Sequence, residues 1–295
     1  MSGDVRRERL RLEERGGLEI ALMDWGGDGP LALLHHANGF CAGTWGLVAE
    51  GLRAHFHVVA MDARGHGDSS RPEGFESYQW GLLADDQLAV AERLRARMGG
   101  ERIALGLGHS FGGTLTLIAA GRRPDLYQRI LLVDPVILPP AAGAAADPKR
   151  TGRNSELAER ARKRRHVWAN RDEARAFFAE RELFQACLPA ALDLYVQEGL
   201  RDRPDGQVEL KCPGEVEASI FGNNRSLDVF AEAAQVRVPT RLLRARRGNF
   251  PGPLYEALAE EMKDASIEDV DAGHLVPMER PDLVVAAALS FAGGA

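Results

Sequence analysis

Gly108-His109-Ser110-Phe111-Gly112 follows directly on the apolar run Ile103-Ala104-Leu105-Gly106-Leu107. The first stretch matches G-x-S-x-G, in which a serine occupies a tight turn between a buried strand and a helix. Glycine is expected at both outer positions because a side chain there would collide with neighbouring backbone. A helix predicted over 113–121 would bring its N-terminal end, which favours negative charge, close to the serine. The stretch therefore predicts a strand–turn–helix unit that presents Ser110 as a nucleophile.

Short, continuous apolar runs recur along the chain, as expected of parallel strands that are buried on both faces. Helical stretches lie between them, notably 80–98, which carries an apolar stripe. Strands that alternate with helices predict an α/β sheet with right-handed crossovers. The other runs are Leu31-Ala32-Leu33-Leu34, His57-Val58-Val59-Ala60-Met61, Ile130-Leu131-Leu132-Val133 and Arg241-Leu242-Leu243-Arg244-Ala245.

Bulk composition narrows the functional classes. The 295 residues carry a net charge of −6, which leaves no excess basic surface for binding nucleic acid. Three scattered cysteines form no disulfide framework and no metal-binding pair, so neither metal nor cofactor is expected. The N-terminus has no apolar signal region, and the apolar C-terminal stretch is too short to span a bilayer. We therefore expect a cytoplasmic protein that does not bind membranes.

The composition changes after Leu138-Pro139-Pro140, and no buried-strand pattern returns until 241. Residues 141–146 resemble a linker, and 149–202 indicate helices rich in Arg and Glu. We interpret 139–235 as a mostly helical insertion. The predicted core then consists of residues 1–138 and 236–295.

A serine hydroxyl needs a base to accept its proton, and that base needs an orienting acid. In a sheet enzyme of this kind, the base is expected in a loop after the last strand. His274 stands there, within Asp271-Ala272-Gly273-His274-Leu275-Val276-Pro277. Gly273 allows a sharp loop, and the apolar residues that follow would anchor it. We predict that His274 is the base.

Taken together, these motifs resemble the α/β-hydrolase family in type and in order along the chain. The resemblance implies the α/β-hydrolase fold: a mostly parallel, eight-stranded sheet flanked by helices, with an inserted helical cap at 139–235. It covers the chain from about residue 10 to its end. The residues that carry it are His35-His36-Ala37-Asn38-Gly39-Phe40, Asp62-Ala63-Arg64-Gly65-His66-Gly67-Asp68-Ser69, Gly108-His109-Ser110-Phe111-Gly112-Gly113 and Gly273-His274.

The resemblance also implies an oxyanion hole made of two backbone N–H groups. Phe111 would supply one, and Asn38 is the choice for the other, with Gly39 or Phe40 as alternatives. Losing one such donor typically raises the reaction barrier by about 3 kcal/mol. The doubled His35-His36 has no third ligand at metal spacing, so a structural histidine that holds this loop is expected instead.

The acid departs from the family's commonest pattern. Family members usually carry an Asp after the strand at 241–246, but this chain has Asn249 there and no carboxylate. The family's second position follows the preceding strand, where Asp134 stands, so Asp134 is the predicted acid. A strand-end cap is the alternative role of Asp134. Asp271 is expected to form a turn, and Asp228 is a remote alternative for the acid.

Three further groups have structural interpretations. Asp62, Arg64 and Asp68 are expected to satisfy buried polar groups. The basic run 160–165 is expected on a solvated helix face with Glu156 and Glu159; the alternative is that one arginine binds a substrate carboxylate. Six aromatic residues offer an apolar pocket lining or a core for the insertion: Trp168, Phe177, Phe178, Phe184, Tyr195 and Phe221.

The sequence thus predicts a serine hydrolase that cleaves a carboxylic ester or related acyl bond of a small molecule through a Ser110–His274–Asp134 triad. Ser110 replaces the Asp of related haloalkane dehalogenases and epoxide hydrolases, which disfavours both of those chemistries. A C–C bond hydrolase of diketone-type substrates and a non-catalytic ligand-binding protein are the alternatives. The sequence leaves the oligomeric state open, a homodimer included.

Overall fold

The buried apolar runs form the centre of an eight-stranded sheet in the computed structural model, which describes residues 5–138 and 155–293. In chain order the strands are β1 (Arg6–Leu12), β2 (Leu18–Gly26), β3 (Leu31–His35), β4 (His57–Met61), β5 (Leu105–His109), β6 (Ile130–Val133), β7 (Val167–Trp168), β8 (Leu200–Asp202), β9 (Val208–Leu210), β10 (Thr240–Arg247) and β11 (Ala265–Gly273).

The large sheet has the order β1-β2-β4-β3-β5-β6-β10-β11. Strand β2 is antiparallel to both of its neighbours, β1 and β4, and every pairing from β4 to β11 is parallel. Every residue of β3, β5 and β6 is buried, as expected of strands covered on both faces. The predicted mostly parallel α/β sheet is confirmed.

Helices cover both faces of the sheet. In chain order the α-helices of the described residues are α1 (Gly46–Leu52), α2 (Trp80–Arg97), α3 (Phe111–Arg122), α4 (Glu156–Lys163), α5 (Arg171–Ala179), α6 (Pro189–Gly199), α7 (Gly214–Gly222), α8 (Val229–Ala233), α9 (Gly252–Glu261), α10 (Val276–Glu279) and α11 (Pro281–Gly293). One hydrophobic cluster joins the sheet to α2, α3, α8 and α9, and a second joins its other face to α1 and α11. Within the described ranges, no helix is both long and apolar enough to cross a membrane.

The described part of the predicted insertion, residues 155–235, contains α4 to α8 and a small sheet that the sequence did not predict. This sheet has the order β7-β9-β8 and is antiparallel throughout. The predicted linker at 141–146 lies outside the described residues, so the boundaries at 139 and 235 stay a prediction. We refer to residues 155–235 as the insertion.

Most of the aromatic residues singled out in the insertion pack against one another. Trp168, Phe178, Phe184 and Tyr195 are buried in one cluster with Leu275 and Met278, which follow His274 in the chain. Phe177 packs at the edge of this cluster, and Phe221 packs on Ala158, Ala161 and Ala218. These side chains therefore form the core of the insertion and join it to the main sheet.

The turn after β4 is held by a buried ion pair. Asp86 of α2 accepts hydrogen bonds from Arg64 Nε at 2.5 Å and Arg64 Nη2 at 2.6 Å, and from Arg15 Nε at 3.0 Å. The Asp86 side chain is 1% exposed and that of Arg64 is 8% exposed. Both charges depend on each other, because a buried charge without a partner is strongly unfavourable.

We predict that Asp86→Ala lowers the free energy of unfolding by about 3–5 kcal/mol, because Arg64 would be left buried without its counter-charge. The matched control is Asp85→Ala on the same helix, whose carboxylate is 38% exposed and bonds Arg122. This variant should lower the free energy of unfolding by no more than about 1 kcal/mol. Urea unfolding of both variants measures the difference, and equal losses would contradict the prediction.

Candidate active site

Ser110 lies in a strained turn between β5 and α3. Its φ is +54° and its ψ is −122°, a conformation that non-glycine residues rarely adopt. A Cβ on Gly108 would lie 2.3 Å from the carbonyl oxygen of Gly112. One on Gly112 would lie 2.4 Å from the carbonyl oxygens of His35 and His36. Both glycines are thus required by close backbone contacts, as the G-x-S-x-G pattern predicted.

The three residues predicted as a triad are joined by hydrogen bonds, although each lies at the end of a different strand. His274 Nε2 is 2.9 Å from Ser110 Oγ, and His274 Nδ1 is 2.6 Å from Asp134 Oδ2. Because the carboxylate can only accept, Nδ1 carries the proton and Nε2 is free to accept the proton of the serine. The arrangement can therefore activate the hydroxyl of Ser110.

Asp134 directly follows β6 and also has a positive φ, of +41°. Besides His274, it accepts hydrogen bonds from Tyr255 Oη at 2.5 Å and from the Ala245 backbone N–H at 3.1 Å. A Cβ on Gly248 would lie 2.6 Å from both carboxylate oxygens, so glycine at that position leaves room for the acid. The carboxylate is fully buried and every bond to it is directional, so its position is fixed.

The other candidate acids lie elsewhere. Asn249 is exposed in the turn after β10. Asp271 does not form the turn expected from the sequence: it lies within β11 and pairs with Arg247 at the surface. Asp228 caps α8 by accepting from the N–H groups of Phe230 and Ala231.

Hydrogen bonds distinguish the candidate oxyanion donors. The Gly39 N–H donates to His66 Nε2 at 3.0 Å, and the Phe40 N–H donates to the Ala37 carbonyl oxygen at 3.1 Å. The backbone N–H of Asn38 has no acceptor among residues 5–138 and 155–293. Phe111 begins α3, so its N–H has no partner within the helix. These observations favour the predicted pair, Asn38 and Phe111.

Buried histidines hold the loop that carries Asn38. His36 Nε2 accepts from the Ala63 N–H at 3.0 Å, while His36 Nδ1 contacts the Ala37 carbonyl oxygen at 2.7 Å. His66 Nε2 accepts from Gly39, as described above. This is the role expected of a structural histidine, and no metal-binding cluster occurs in the part of the chain that the structure describes.

Sequence reasoning missed several residues that support the candidate site. Glu279 accepts from the backbone N–H groups of Gly273 at 2.6 Å and Leu275 at 3.1 Å, so it holds the chain on both sides of His274. His109 Nε2 lies 2.7 Å from the His274 carbonyl oxygen. Neither Glu279 nor Tyr255 belongs to a recognisable motif, and only the folded chain brings them to the site. Of these supporting residues, only His109 lies inside a recognised motif, that of Ser110, and could have been found from the sequence.

Comparisons with known proteins bear on the family and the fold of this chain. A model of the alpha/beta hydrolase family matches residues 32–288. N-formylmaleamate deformylase of Pseudomonas putida is 30% identical over 268 residues, 90% of each chain. A 2-hydroxy-6-oxo-2,4-heptadienoate hydrolase, also of Pseudomonas putida, is 32% identical over 135 residues, which is 45% of this chain and 47% of that protein.

A solved structure extends the likeness to the whole fold. The crystal structure of E-2-(acetamidomethylene)succinate hydrolase superimposes with a TM-score of 0.81 and covers 99% of this chain and 100% of its own. Its sequence identity is 20%, so it bears on the fold alone.

The buried histidines predict a loss of stability in acid. Burial lowers the pKa values of His35 and His109 to about 3, and it lowers those of His36 and His66 as well. The unfolded chain takes up these protons near pH 6.5 while the folded protein does not. The free energy of unfolding should therefore fall as the pH drops below about 6.5, by up to about 1.4 kcal/mol per pH unit for each histidine.

Urea unfolding between pH 8 and pH 5 measures this slope. His109→Gln keeps a side-chain donor and should reduce the slope by the share of one histidine. The matched control, Asn249→Gln, changes an exposed side chain that carries no titratable group and should leave the slope unchanged. A flat profile in the wild type would contradict the prediction.

Proposed function

Since the chain belongs to the alpha/beta hydrolase family and is a hydrolase, we propose that it cleaves an ester or related acyl bond through an acyl-enzyme on Ser110. The observation that carries the proposal is the position of His274, whose two ring nitrogens contact Ser110 Oγ and Asp134 Oδ2. Such a bridge serves to move a proton between a nucleophile and a leaving group.

Acylation follows from this geometry. Ser110 Oγ attacks the substrate carbonyl carbon while His274 Nε2 takes the hydroxyl proton. The buried Asp134 carboxylate stabilises the imidazolium that forms. The N–H groups of Asn38 and Phe111 would bind the oxyanion. When the tetrahedral intermediate collapses, the bond to the leaving group breaks and His274 returns the proton to that group.

Deacylation repeats these steps with water. His274 removes a proton from a water molecule, the hydroxide equivalent attacks the acyl carbon, and Ser110 leaves with the proton that His274 gives back. The products are a carboxylic acid and free enzyme. Water is the co-reactant that restores the proton Ser110 gave to the leaving group.

The relatives bear on the bond that is cleaved. The name of the deformylase describes removal of an N-formyl group, so N-acyl substrates join esters as candidates for this chain. An ester and an amide pass through the same acyl-enzyme and differ in the group that His274 must protonate. A carboxylic ester remains the simplest test substrate, because its leaving group depends least on protonation by His274.

C–C bond hydrolysis is a second candidate, favoured by the similarity to the heptadienoate hydrolase. The leaving group would then be a carbon atom that is protonated as the bond breaks, with the same serine and histidine. A non-catalytic role is less well supported, because a receptor would need neither the strained Ser110 nor a complete chain of hydrogen bonds behind it.

We predict that a fluorophosphonate probe labels the wild-type protein and fails to label Ser110→Ala, because the probe reacts with an activated serine. The matched control is Ser266→Ala, at the opposite end of β11 from His274. It should label like the wild type. An unlabelled wild type, or labelling of Ser110→Ala, would contradict the assigned nucleophile. Mass spectrometry of the labelled peptide locates the adduct.

Asp134→Asn is predicted to lower kcat by about 10⁴-fold, because an amide neither selects the required tautomer nor stabilises the imidazolium. Asp271→Asn is the matched control, since it removes the nearest exposed carboxylate before His274 and should leave kcat unchanged. Hydrolysis of p-nitrophenyl butyrate gives both values. If kcat falls in the control instead, the acid is Asp271.

A further inference from the structure

The insertion places an ion pair directly on the loop that carries Asn38. A Cβ on Gly39 would lie 2.8 Å from Glu217 Oε1 and 3.4 Å from Arg164 Nη1. Asn38 Nδ2 donates to the backbone carbonyl oxygen of Glu217 at 3.1 Å. Arg164 follows α4, and Glu217 lies in α7. The pair therefore borders the site where the oxyanion would form.

The guanidinium of Arg164 is incompletely bonded. Its Nη1 lies 2.7 Å from Glu217 Oε2, and its Nη2 donates to the Cys212 carbonyl oxygen at 3.1 Å. Its Nε is buried and has no acceptor among the described residues. A guanidinium carries five N–H donors, and the hydroxyl of Tyr195 also hydrogen-bonds this one, so the contacts to Glu217, Cys212 and Tyr195 still leave the Nε–H unused. Apart from its ion pair with Arg164, Glu217 Oε2 is likewise buried without a hydrogen-bond partner in the described part of the chain. A buried donor without an acceptor is costly, so the Nε–H is open to a further acceptor.

The neighbouring basic residues differ from Arg164. Lys163 is 79% exposed and pairs with Glu159, while Arg165 is 43% exposed and pairs with Glu173. The carboxylate beside Arg164 is only 13% exposed, and burial raises the pKa of Glu217. Most of the basic run thus lies on the expected solvated face. Its ion-pair partners include the expected Glu159, but Glu173 takes part where Glu156 was expected. Arg164 is 23% exposed, so it is more buried than Lys163 and Arg165.

We infer that Arg164 binds a carboxylate group of the substrate, so that the preferred substrates are small esters or amides that bear a carboxylate. The inference rests on the proposed function, because it assigns a substrate class to the same site. A planar guanidinium can hold a carboxylate through two parallel hydrogen bonds, which fixes both position and orientation. Glu217, which pairs with this guanidinium, places a competing negative charge beside the bound carboxylate.

The alternative is a purely structural ion pair that ties the insertion to the loop. The two roles predict different effects for substitutions of the two partners. A structural pair loses the same contact whichever partner is changed, so Arg164→Gln and Glu217→Gln should act alike. In a recognition site, Arg164→Gln removes the cation and should weaken the binding of an anionic ligand. Glu217→Gln removes a competing negative charge, so its effect on the affinity should be opposite.

Calorimetry in a Ser110→Ala background, which prevents turnover, tests the inference. The ligands are monomethyl succinate, glutarate and adipate, each compared with the neutral methyl ester of the same acyl chain length. We expect at least one half-ester to bind more tightly than its neutral counterpart. Arg164→Gln should raise its Kd by about 10- to 100-fold, as loss of a charge-assisted pair does. Glu217→Gln should leave the Kd unchanged or lower it.

The matched control is Lys163→Gln, which removes the same charge from the end of α4 and should leave the Kd unchanged. If Arg164→Gln does not fold, Arg164→Gln with Glu217→Gln removes both charges and should still abolish the preference for the half-ester. No preference in any of the three ligand pairs, or equal losses from both single substitutions, would overturn the inference. Fluorophosphonate labelling of Ser110 is measured separately, so a failure of the proposed function is recognised by its own result.

Discussion

The hydrogen bonds to the buried carboxylate of Asp134 are the constraint on which the candidate site depends. The carboxylate accepts from the imidazole of His274, the hydroxyl of Tyr255 and the backbone of Ala245, so three elements of the fold converge on one group. Its neighbour Gly248 provides the space for it. Because the carboxylate sits between β6 and β10, the orientation of His274 follows from the pairing of the sheet itself.

A second set of buried polar contacts holds the opposite side of the site. His36 and His66 accept hydrogen bonds from backbone N–H groups, and they can do so only while those nitrogens are unprotonated. The bond from Gly39 to His66 uses one of the N–H groups that would otherwise compete as an oxyanion donor. Neutral histidines thus help to determine which backbone N–H groups of this loop remain available.

The sequence was sufficient to predict the elements that have strong local patterns. The buried strands β3 to β6, the turn at Ser110 and the position of His274 all follow from continuous apolar runs and glycine spacing. The absence of a carboxylate around Asn249 was enough to direct attention to Asp134. The three short strands of the insertion were missed because runs of two or three residues carry no readable periodicity. Tyr255, Glu279 and Arg164 were not assignable, since their partners are distant in the chain and only packing brings them together.

The aromatic cluster of the insertion also contains Leu275 and Met278, and Phe40 packs against it from the loop beside Asn38. The insertion is therefore not a detachable module. Phe40, Leu275 and Met278 share one hydrophobic core with the insertion, so a rigid-body swing of the insertion would expose that core and disturb His274 at the same time. Ligand exchange is better served by local side-chain movement at the rim than by a hinged lid, and the insertion and sheet should unfold as one cooperative unit.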